Sequence, residues 1–283
     1  MSQNKVVAFG DSLSFGLYYL HSAFRDVDNF VNLNNELVSV SEKDQFLSPS
    51  SLIISGFRTG TLSKVLIQSD SIILNSRAHA LNTNLVYKSC FSYPRDIGMD
   101  EIRIKISAFL QRYAALFPER SLIFLLSQNC RQEQSSVFDA AFKNHMIDAF
   151  AYFQSDLLKC VNKMKWRGYG LTPSGDDFIA GVLFGLNMLS FYNNKDFKNI
   201  STAIFQSAVS KNIYSNNMLR WAYYGKYFKR LKDFIAVLLT CSLPEVKPVF
   251  EALISVGATS GADILCGFMS VILKRPLLLE CHS

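Results

Sequence analysis

The chain has 283 residues, of which 49% are hydrophobic and 18% charged, so it has the composition of a globular protein and not of a disordered one. Its formal net charge of +6 is spread along the chain, which mildly favours anionic ligands without requiring nucleic acid. The longest apolar segment, residues 178–192, is interrupted by Asn187 and is shorter than the roughly 20 residues that a membrane span needs. We therefore predict no membrane partner.

The cysteines and the N-terminus favour a cytoplasmic protein. No two of the six cysteines are spaced as Cys-x-x-Cys, and none has a histidine at metal-ligand spacing, so we predict reduced thiols and no metal site. The opening residues, MSQNK, lack the apolar stretch of a signal peptide.

Residues 6–14 read VVAFGDSLS, an apolar run followed by Gly-Asp-Ser-Leu-Ser. This stretch resembles the first block of the GDSL esterase/lipase family, in which a serine just after a strand is the nucleophile. That family takes its base and its oxyanion donors from later Asp-x-x-His and Gly-x-Asn-Asp blocks. The sequence has no Asn-Asp dipeptide, and none of its four histidines follows an aspartate by three residues. We therefore predict a strand that ends in a turn at Ser12, and no esterase.

The N-terminal part has the pattern of a β structure. Residues 29–92 contain short runs rich in β-branched and aromatic residues, which predict an antiparallel sheet or a small barrel. The runs are residues 30–33, 37–40, 51–54, 65–67, 72–74 and 85–87. A helix is expected over residues 100–117, with Asp100 as its cap, and one more strand over residues 121–127, which read SLIFLLS.

After residue 135 the pattern becomes helical. Apolar residues from Phe138 to Leu157 approximate a 3.6-residue spacing. Further helices are predicted over residues 174–191, 196–209, 215–240, 244–256 and 260–274. We predict an α+β fold in which a β-rich N-terminal domain, residues 1–130, packs on an all-helical C-terminal domain, residues 131–283.

Two stretches at the starts of predicted helices resemble each other. Residues 170–181 read GLTPSGDDFIAG and residues 257–267 read GATSGADILCG, so both contain Ser-Gly-x-Asp followed by apolar residues and a glycine. One interpretation is purely structural. Ser174 and Ser260 would cap the two helices, and Asp177 and Asp263 would complete capping boxes.

The glycines favour a ligand site instead. Gly175 and Gly261 would occupy the first helical turn, where glycine costs roughly 0.5–1 kcal/mol relative to alanine, and a ligand that approaches the backbone would explain them. Unpaired N–H groups at a helix start bind phosphate or carboxylate. A P-loop is excluded because Asp176 and Asp177 replace its Lys-Ser/Thr pair. Acidic residues suit a ligand with N–H donors, or a phosphate bridged through Mg²⁺.

The helices that follow the two motifs are apolar on all sides, which predicts that both are buried. Gly181 and Gly185, four residues apart, would let another helix approach closely. We expect the starting ends of the two helices to lie together at one site.

The two motifs are similar to the signature blocks of the oxamate carbamoyltransferase subunit (AllH-like) family, which read approximately G-x-G-L-T-P-S-G-D-D and G-H-T-S-G-A-D. Weaker similarity covers residues 19–24, 47–50 and 215–225, so the resemblance extends from about residue 19 to 274. Ala258 stands where the family usually has histidine. Either this member uses a different substrate, or that histidine is not catalytic.

The resemblance implies a multi-subunit enzyme of allantoin catabolism, which moves a carbamoyl group between oxalurate and carbamoyl phosphate. A phosphate or carboxylate would bind the N–H groups at the two helix starts, and the aspartates would orient an N–H₂ group or a cation. The predicted catalytic residues are Asp176, Asp177 and Asp263. The predicted binding residues are Gly170, Thr172, Ser174, Gly175, Thr259, Ser260, Gly261, His21 and Arg220.

Two other functions stay open. One is an ATP-dependent carboxylase or ligase on the same scaffold, with Mg²⁺ and ATP as cofactors. The other is a non-catalytic subunit that binds a ligand within a complex or a homo-oligomer. Basic and aromatic residues interleave over residues 220–232, but an amphipathic helix with a basic outer face explains them more simply than a nucleic-acid site.

Overall fold

A computed structural model of the chain describes residues 5–128 and 136–274. The chain divides into two compact units, one made of Met1–Phe91 and Lys226–Lys232, the other of Ser92–Gly225 and Asp233–Ser283. Among the described residues, every strand lies in the first unit, and the α-helices, apart from the start of one, lie in the second. This confirms the α+β class, with a β-rich N-terminal part and a helical C-terminal part.

The first unit is built on one curled sheet, a half-barrel of nine strands in the described part of the chain. The strands are β1 (Lys5–Gly10), β2 (Gly16–Ala23), β3 (Val27–Val31), β4 (Leu37–Ser41), β5 (Ser51–Ser55), β6 (Lys64–Ile67), β7 (Ser71–Leu74), β8 (Arg77–Ala80) and β9 (Val86–Tyr87). Their order across the sheet is β8-β7-β6-β2-β3-β4-β5-β1-β9. Neighbours are antiparallel except for two parallel pairs, β4 with β5 and β1 with β9.

Alternation along the strands builds the core of this unit. In β6 and β7, Val65, Ile67, Ile72 and Leu74 are buried, while the residues between them are not. Each of the six predicted runs overlaps a strand. Strands β2 and β8 were not predicted, because most of their side chains are exposed and the buried half of the alternation is missing.

The strand and turn predicted around Ser12 are confirmed. β1 ends at Gly10, and a turn follows in which the Ser12 hydroxyl donates to the Asp11 carboxylate. Asp11 in turn accepts from the backbone N–H and the hydroxyl of Ser89. A side chain at position 10 would collide with the backbone of Pro49, 2.1 Å away, so this glycine serves packing.

The helices of the described residues begin with α1, close to the predicted range 100–117. They are α1 (Met99–Tyr113), α2 (Val137–Phe150), α3 (Leu157–Met164), α4 (Ser174–Asn193), α5 (Lys198–Ala208), α6 (Ile213–Tyr223), α7 (Lys229–Thr240), α8 (Leu243–Ile254) and α9 (Ser260–Lys274). Helix α7 starts in the segment assigned to the first unit and continues into the second. None of the helices in the described ranges is long and apolar enough to cross a membrane.

Helices α4 and α9 pack on each other in the second unit, and most of their residues are buried, as predicted. A Cβ atom on Gly181 would lie 1.9 Å from the carbonyl oxygen of Ile264, and one on Gly267 would lie 1.9 Å from that of Phe178. The two backbones therefore touch where the helices pack, and the predicted close approach at Gly181 is confirmed.

The single helix predicted over residues 215–240 is wrong, because the chain breaks between α6 and α7. Gly225 adopts a positive φ of 63° after α6, a conformation that ends helices. Asn187 of α4 donates its amide N–H₂ to the carbonyl oxygen of Ala222, which also accepts the N–H of Gly225 at the end of α6. The polar residue that interrupts the apolar segment of α4 thus holds the end of a neighbouring helix.

The strand predicted over residues 121–127 is also wrong. Leu122–Leu125 form a 3₁₀ helix in which Leu122 and Ile123 are buried. A short apolar run does not distinguish a strand from a buried helical turn. Here the N–H of Leu122 donates to the Asp263 carboxylate. The acceptor is therefore a side chain and not the carbonyl group of a neighbouring strand.

Candidate functional site

The two motifs meet at the starts of α4 and α9. Thr172 precedes α4, Ser260 is the first residue of α9, and their hydroxyl oxygens are 3.0 Å apart. The prediction that the two helix starts lie together is therefore confirmed. Asp177 and Asp263, one helical turn into each helix, are close enough to interact electrostatically.

Asp177 lies directly beneath the hydroxyl pair. Its carboxylate accepts a hydrogen bond from Thr172 at 2.8 Å, and the residue is 1% exposed. Burial raises the pKa of Asp177 well above its ordinary 3.8, the charge of Asp263 raises it further, and the hydroxyls of Thr172 and Ser260 oppose this shift. The carboxyl is thus held near two hydroxyls in a dry environment that favours its protonated form.

Asp263 has a different partner. Its carboxylate accepts the backbone N–H of Leu122 at 2.7 Å, so it holds the 3₁₀ helix Leu122–Leu125 against the start of α9. Complete burial raises the pKa of Asp263 to about 7. The negative charge of Asp263 in the same low-dielectric site disfavours ionisation of Asp177.

Asp176 organises the loop ahead of α4. Its carboxylate accepts the backbone N–H of Trp166 at 2.7 Å. Trp166 has a positive φ of 64°, a strained conformation for a residue with a bulky side chain. Burial raises the pKa of Asp176, and the Ser215 hydroxyl of α6 lies close enough to lower it again in part. Asp176 therefore holds the backbone of Trp166 next to the start of α4.

The structure does not contain the capping boxes that the serine–aspartate spacing of the two motifs predicted. The N-cap of α4 is Pro173, Ser174 is already helical, and its hydroxyl has no hydrogen-bond partner of good geometry among the described residues. In α9 the Asp263 carboxylate accepts the N–H of Leu122, and its side-chain partner at the helix start is Thr259, not Ser260. The purely structural interpretation of the serine–aspartate spacing is therefore wrong in its detail.

Gly175 and Gly261 are required by packing within the protein, and not by a ligand as expected. A Cβ on Gly175 would lie 1.9 Å from the carbonyl oxygen of Met164, and one on Gly261 would lie 2.0 Å from that of Leu253. The N–H of Gly175 already donates to Arg167, and that of Gly261 to Val256. Close backbone packing explains both glycines, and these two N–H groups are paired within the protein rather than directed at an anion.

The rim of the cluster reaches solvent. Gly170, Leu171, Gly257 and Ala258 are exposed, and Thr172 and Ser260 are half-buried, whereas Ser174, Thr259 and the three aspartates are buried. Asn212, the N-cap of α6, donates to the carbonyl oxygen of Leu171 at 2.6 Å and so holds this rim. Of the polar groups in the cluster, the Thr172 and Ser260 hydroxyls are the ones a ligand meets first.

The remaining predicted residues, His21 and Arg220, belong to other elements of the chain than the two motifs. His21 is an exposed residue of β2, in the first unit, and Arg220 is an exposed residue near the end of α6. Sequence reasoning missed Leu122, Trp166 and Ser215, which hold or approach the aspartates. Two of them act through backbone N–H groups, and these leave no signal in a sequence.

No group of three or more His, Cys, Asp or Glu side chains arranged to hold a metal ion occurs in residues 5–128 and 136–274. The three aspartates are neighbours, but their carboxylates turn toward separate protein donors.

Comparison with protein families gives one match in this region. The model of the family described as oxamate carbamoyltransferase subunit AllH matches residues 166–272, which include both motifs and α4 through most of α9. Searches of curated proteins and of solved structures found no match to the chain. The resemblance predicted from the two motifs is therefore confirmed over residues 166–272, where the chain is similar to the oxamate carbamoyltransferase subunit family.

Proposed function

We propose that this chain is a subunit of a carbamoyltransferase of allantoin catabolism, which acts with partner subunits on an oxamate- or oxalurate-like anion and carbamoyl phosphate. The observation that carries the proposal is the Thr172–Ser260 hydroxyl pair, 3.0 Å apart, above the buried Asp177. The family similarity of residues 166–272 supplies the reaction class.

The cluster fits a ligand that combines an anionic oxygen with an N–H₂ group. On binding, the hydroxyls of Thr172 and Ser260 turn from Asp177 to a carboxylate or phosphate oxygen of the ligand, and the N–H₂ group replaces them as the donor to Asp177. A cluster of three ionised aspartates would repel such an anion. Burial raises the pKa of Asp176, Asp177 and Asp263, so the cluster binds protons more readily and this repulsion is reduced.

Asp177 is the acid–base candidate within this scheme. In the direction of oxalurate formation, the amide nitrogen of oxamate forms a bond to the carbamoyl carbon, the bond from that carbon to the phosphate oxygen breaks, and phosphate leaves. The nitrogen loses one proton, which Asp177 accepts. The raised pKa of Asp177 makes its carboxylate a stronger base than that of an exposed aspartate, which suits this step. Asp176 and Asp263 act as positioning residues through Trp166 and Leu122.

A non-catalytic ligand-binding subunit is the second candidate. Its specific support is that the N–H groups of Gly175 and Gly261 are occupied by protein carbonyls and that Asp177 is 1% exposed. Catalysis by this chain would then require a partner subunit or a ligand to open the rim.

Calorimetry on the full chain tests the proposal, with carbamoyl phosphate, oxamate and oxalurate as ligands, with and without Mg²⁺ and ATP. We expect at least one of the three ligands to bind, and Asp177→Asn and Ser260→Ala to weaken that binding by about tenfold or more, the worth of a hydrogen bond to a charged group. Thr240→Val is the matched control, because the Thr240 hydroxyl is exposed and its contacts, with Ala236 and Cys241, are local.

Turnover separates the candidate functions. Formation of carbamoyl phosphate from oxalurate and phosphate is measured for the chain alone and with its co-purified partner subunits. Binding without turnover in either preparation supports the non-catalytic subunit, and a strict requirement for ATP supports a ligase. Unchanged ligand affinity in both cluster variants would place the site elsewhere and refute the proposal.

A further inference from the structure

Neither motif of the candidate site contains a basic residue. Residues 170–177 and 257–263 supply three aspartates and the hydroxyls of Thr172 and Ser260, but no lysine, arginine or histidine. Hydrogen bonds between an ionised donor and a carboxylate or phosphate are roughly twice as strong as those between neutral groups. A ligand that places an anionic group at this site therefore needs a cation from another part of the chain.

The chain itself ties Arg120 to the start of α9. Arg120 precedes Leu122 by two residues, which span at most about 7 Å. The N–H of Leu122 donates to the Asp263 carboxylate at 2.7 Å, and Asp263 lies one helical turn after Ser260. Ser121 and Leu122 are buried whereas Arg120 is exposed. The backbone of Arg120 therefore reaches the surface close to the start of α9.

The side chain of Arg120 contacts the loop that precedes α4. Its Cζ atom lies 5.3 Å from the centre of the Tyr169 ring, which is a cation–π distance. The preceding residue, Gly168, packs on the start of α4 so closely that an added Cβ would lie 2.6 Å from the Cβ of Ser174. The guanidinium is thus held near the start of α4 by its side-chain contact and near the start of α9 by its backbone.

The Tyr169 ring is a fixed support for this cation. It makes edge contacts with Phe138 and Phe142, at centroid distances of 5.8 Å and 5.2 Å, and its hydroxyl donates to the Asp139 carboxylate. The nearest guanidinium nitrogen of Arg120 is 3.7 Å from Asp139, which is longer than a hydrogen bond, and 66% of the Arg120 side chain is exposed. The ring and the carboxylate therefore orient the guanidinium and leave it accessible to a ligand.

We propose that Arg120 is a binding residue of the candidate site, and that its guanidinium pairs with two oxygens of the carboxylate or phosphate to which Thr172 and Ser260 donate. This inference rests on the proposed function and names the residue that supplies its positive charge. The planar fork of an arginine matches both anionic groups. On binding, the guanidinium exchanges its long contact with Asp139 for the ligand, while Tyr169 acts as a positioning residue beneath it.

Calorimetry on the full chain with oxamate and with carbamoyl phosphate tests this role. We expect Arg120→Gln to weaken binding of at least one ligand by about tenfold or more, the worth of a hydrogen bond to a charged group. Arg120→Lys is expected to restore part of the affinity, because it keeps the charge and loses the fork. The matched control is Arg112→Gln, since Arg112 is also exposed and its Cζ also lies over a tyrosine, 5.7 Å from the centre of the Tyr113 ring.

Salt dependence separates a ligand contact from a structural role. Salt screens an exposed ion pair, so the affinity of the wild type is expected to fall more steeply with NaCl concentration than that of Arg120→Gln. The inference is overturned if Arg120→Gln binds both ligands as the wild type does, if the two salt dependences are equal, or if Arg112→Gln loses as much affinity. Weaker binding by Ser260→Ala beside unchanged binding by Arg120→Gln would leave the proposed function intact, whereas absence of binding to the wild type would refute both.

Discussion

The hydroxyl oxygen of Thr172 lies 3.0 Å from that of Ser260, although 88 residues separate them in the chain. Each hydroxyl belongs to one copy of the repeated motif, so the fold joins the two copies at a single point. The contact follows from the packing of α4 on α9, in which Gly181 and Gly267 let the two backbones touch. The geometry of the candidate site is therefore set by the helix pair beneath it.

Gly181→Ala is expected to destabilise the protein. The new Cβ would lie 1.9 Å from the carbonyl oxygen of Ile264, and backbone cannot yield as a flexible side chain can. The overpacking cost, about 1–3 kcal/mol or more, exceeds the gain of about 1 kcal/mol from replacing a helical glycine by alanine. Urea denaturation measures the change in the free energy of unfolding.

Gly98→Ala is the control for this prediction, because nothing lies within 4 Å of the added Cβ and the glycine has an ordinary negative φ of −96°. Its cost is expected to stay below about 1 kcal/mol, the usual worth of an N-cap residue. Equal stability of Gly181→Ala and the wild type would contradict the tight crossing of α4 and α9.

The buried carboxyls predict an unusual dependence of stability on pH. Burial raises the pKa of Asp263 from 3.8 to about 7, so the folded state binds its proton more tightly than the unfolded state does. This contribution to the free energy of unfolding is fully present below about pH 4 and is lost as the pH rises to about 7. Asp263→Asn removes the titration and retains an oxygen for the N–H of Leu122.

Urea denaturation between pH 4 and pH 8 checks this prediction. Asp263→Asn is expected to be more stable than the wild type at pH 8 by on the order of 1–4 kcal/mol and to have a flatter pH profile. Asp148→Asn, at an exposed position of α2, is expected to leave the wild-type profile unchanged. A variant that is less stable than the wild type at pH 8 would show that the ionised Asp263 stabilises the fold.

Asp176 is expected to act through the backbone of Trp166. Asp176→Asn keeps an oxygen for this N–H, whereas Asp176→Ala leaves the N–H and the strained φ of 64° without support. Loss of the bond costs about 1–3 kcal/mol. Amide hydrogen exchange at Trp166 is the measurement: protection is retained in Asp176→Asn and lost in Asp176→Ala. Equal protection in both variants would argue against this role.

Local patterns in the sequence were sufficient to predict much of the fold. The alternation around Val65 and Ile72 located strands, and the apolar pattern after Ser174 and Ser260 located two buried helices that meet at their starts. Residues 121–127 show where such patterns fail. Their apolar run has the composition of a strand, but the N–H of Leu122 donates to a distant carboxylate, Asp263, which no local pattern indicates.

The candidate site was also predictable from the sequence only in part. The serine, threonine and aspartate residues of the motifs do gather at one place, as their repetition indicated. Their individual roles depend on the partners that tertiary structure brings to them: Trp166 for Asp176, Leu122 for Asp263, and Thr172 for Asp177. The glycines were misread because a close backbone approach has the same signature whether the neighbour is a ligand or, as here, Met164 and Leu253.

A double-mutant cycle on Thr172 and Ser260 separates their contact from their role in binding. Thr172→Val and Ser260→Ala each remove one hydroxyl of a half-buried pair, so each is expected to cost only about 0.5–1.5 kcal/mol of stability. Since the two hydroxyls contact each other, the costs should not add in the double variant. If the pair binds an anionic oxygen, each single variant also weakens binding of the carbamoyltransferase ligands, whereas Ser255→Ala, at an exposed hydroxyl that donates to Ala252, does not. Variants that lose stability but keep full ligand affinity would make the hydroxyl contact a structural feature only, and would leave Asp177 without the donors that the proposed site requires.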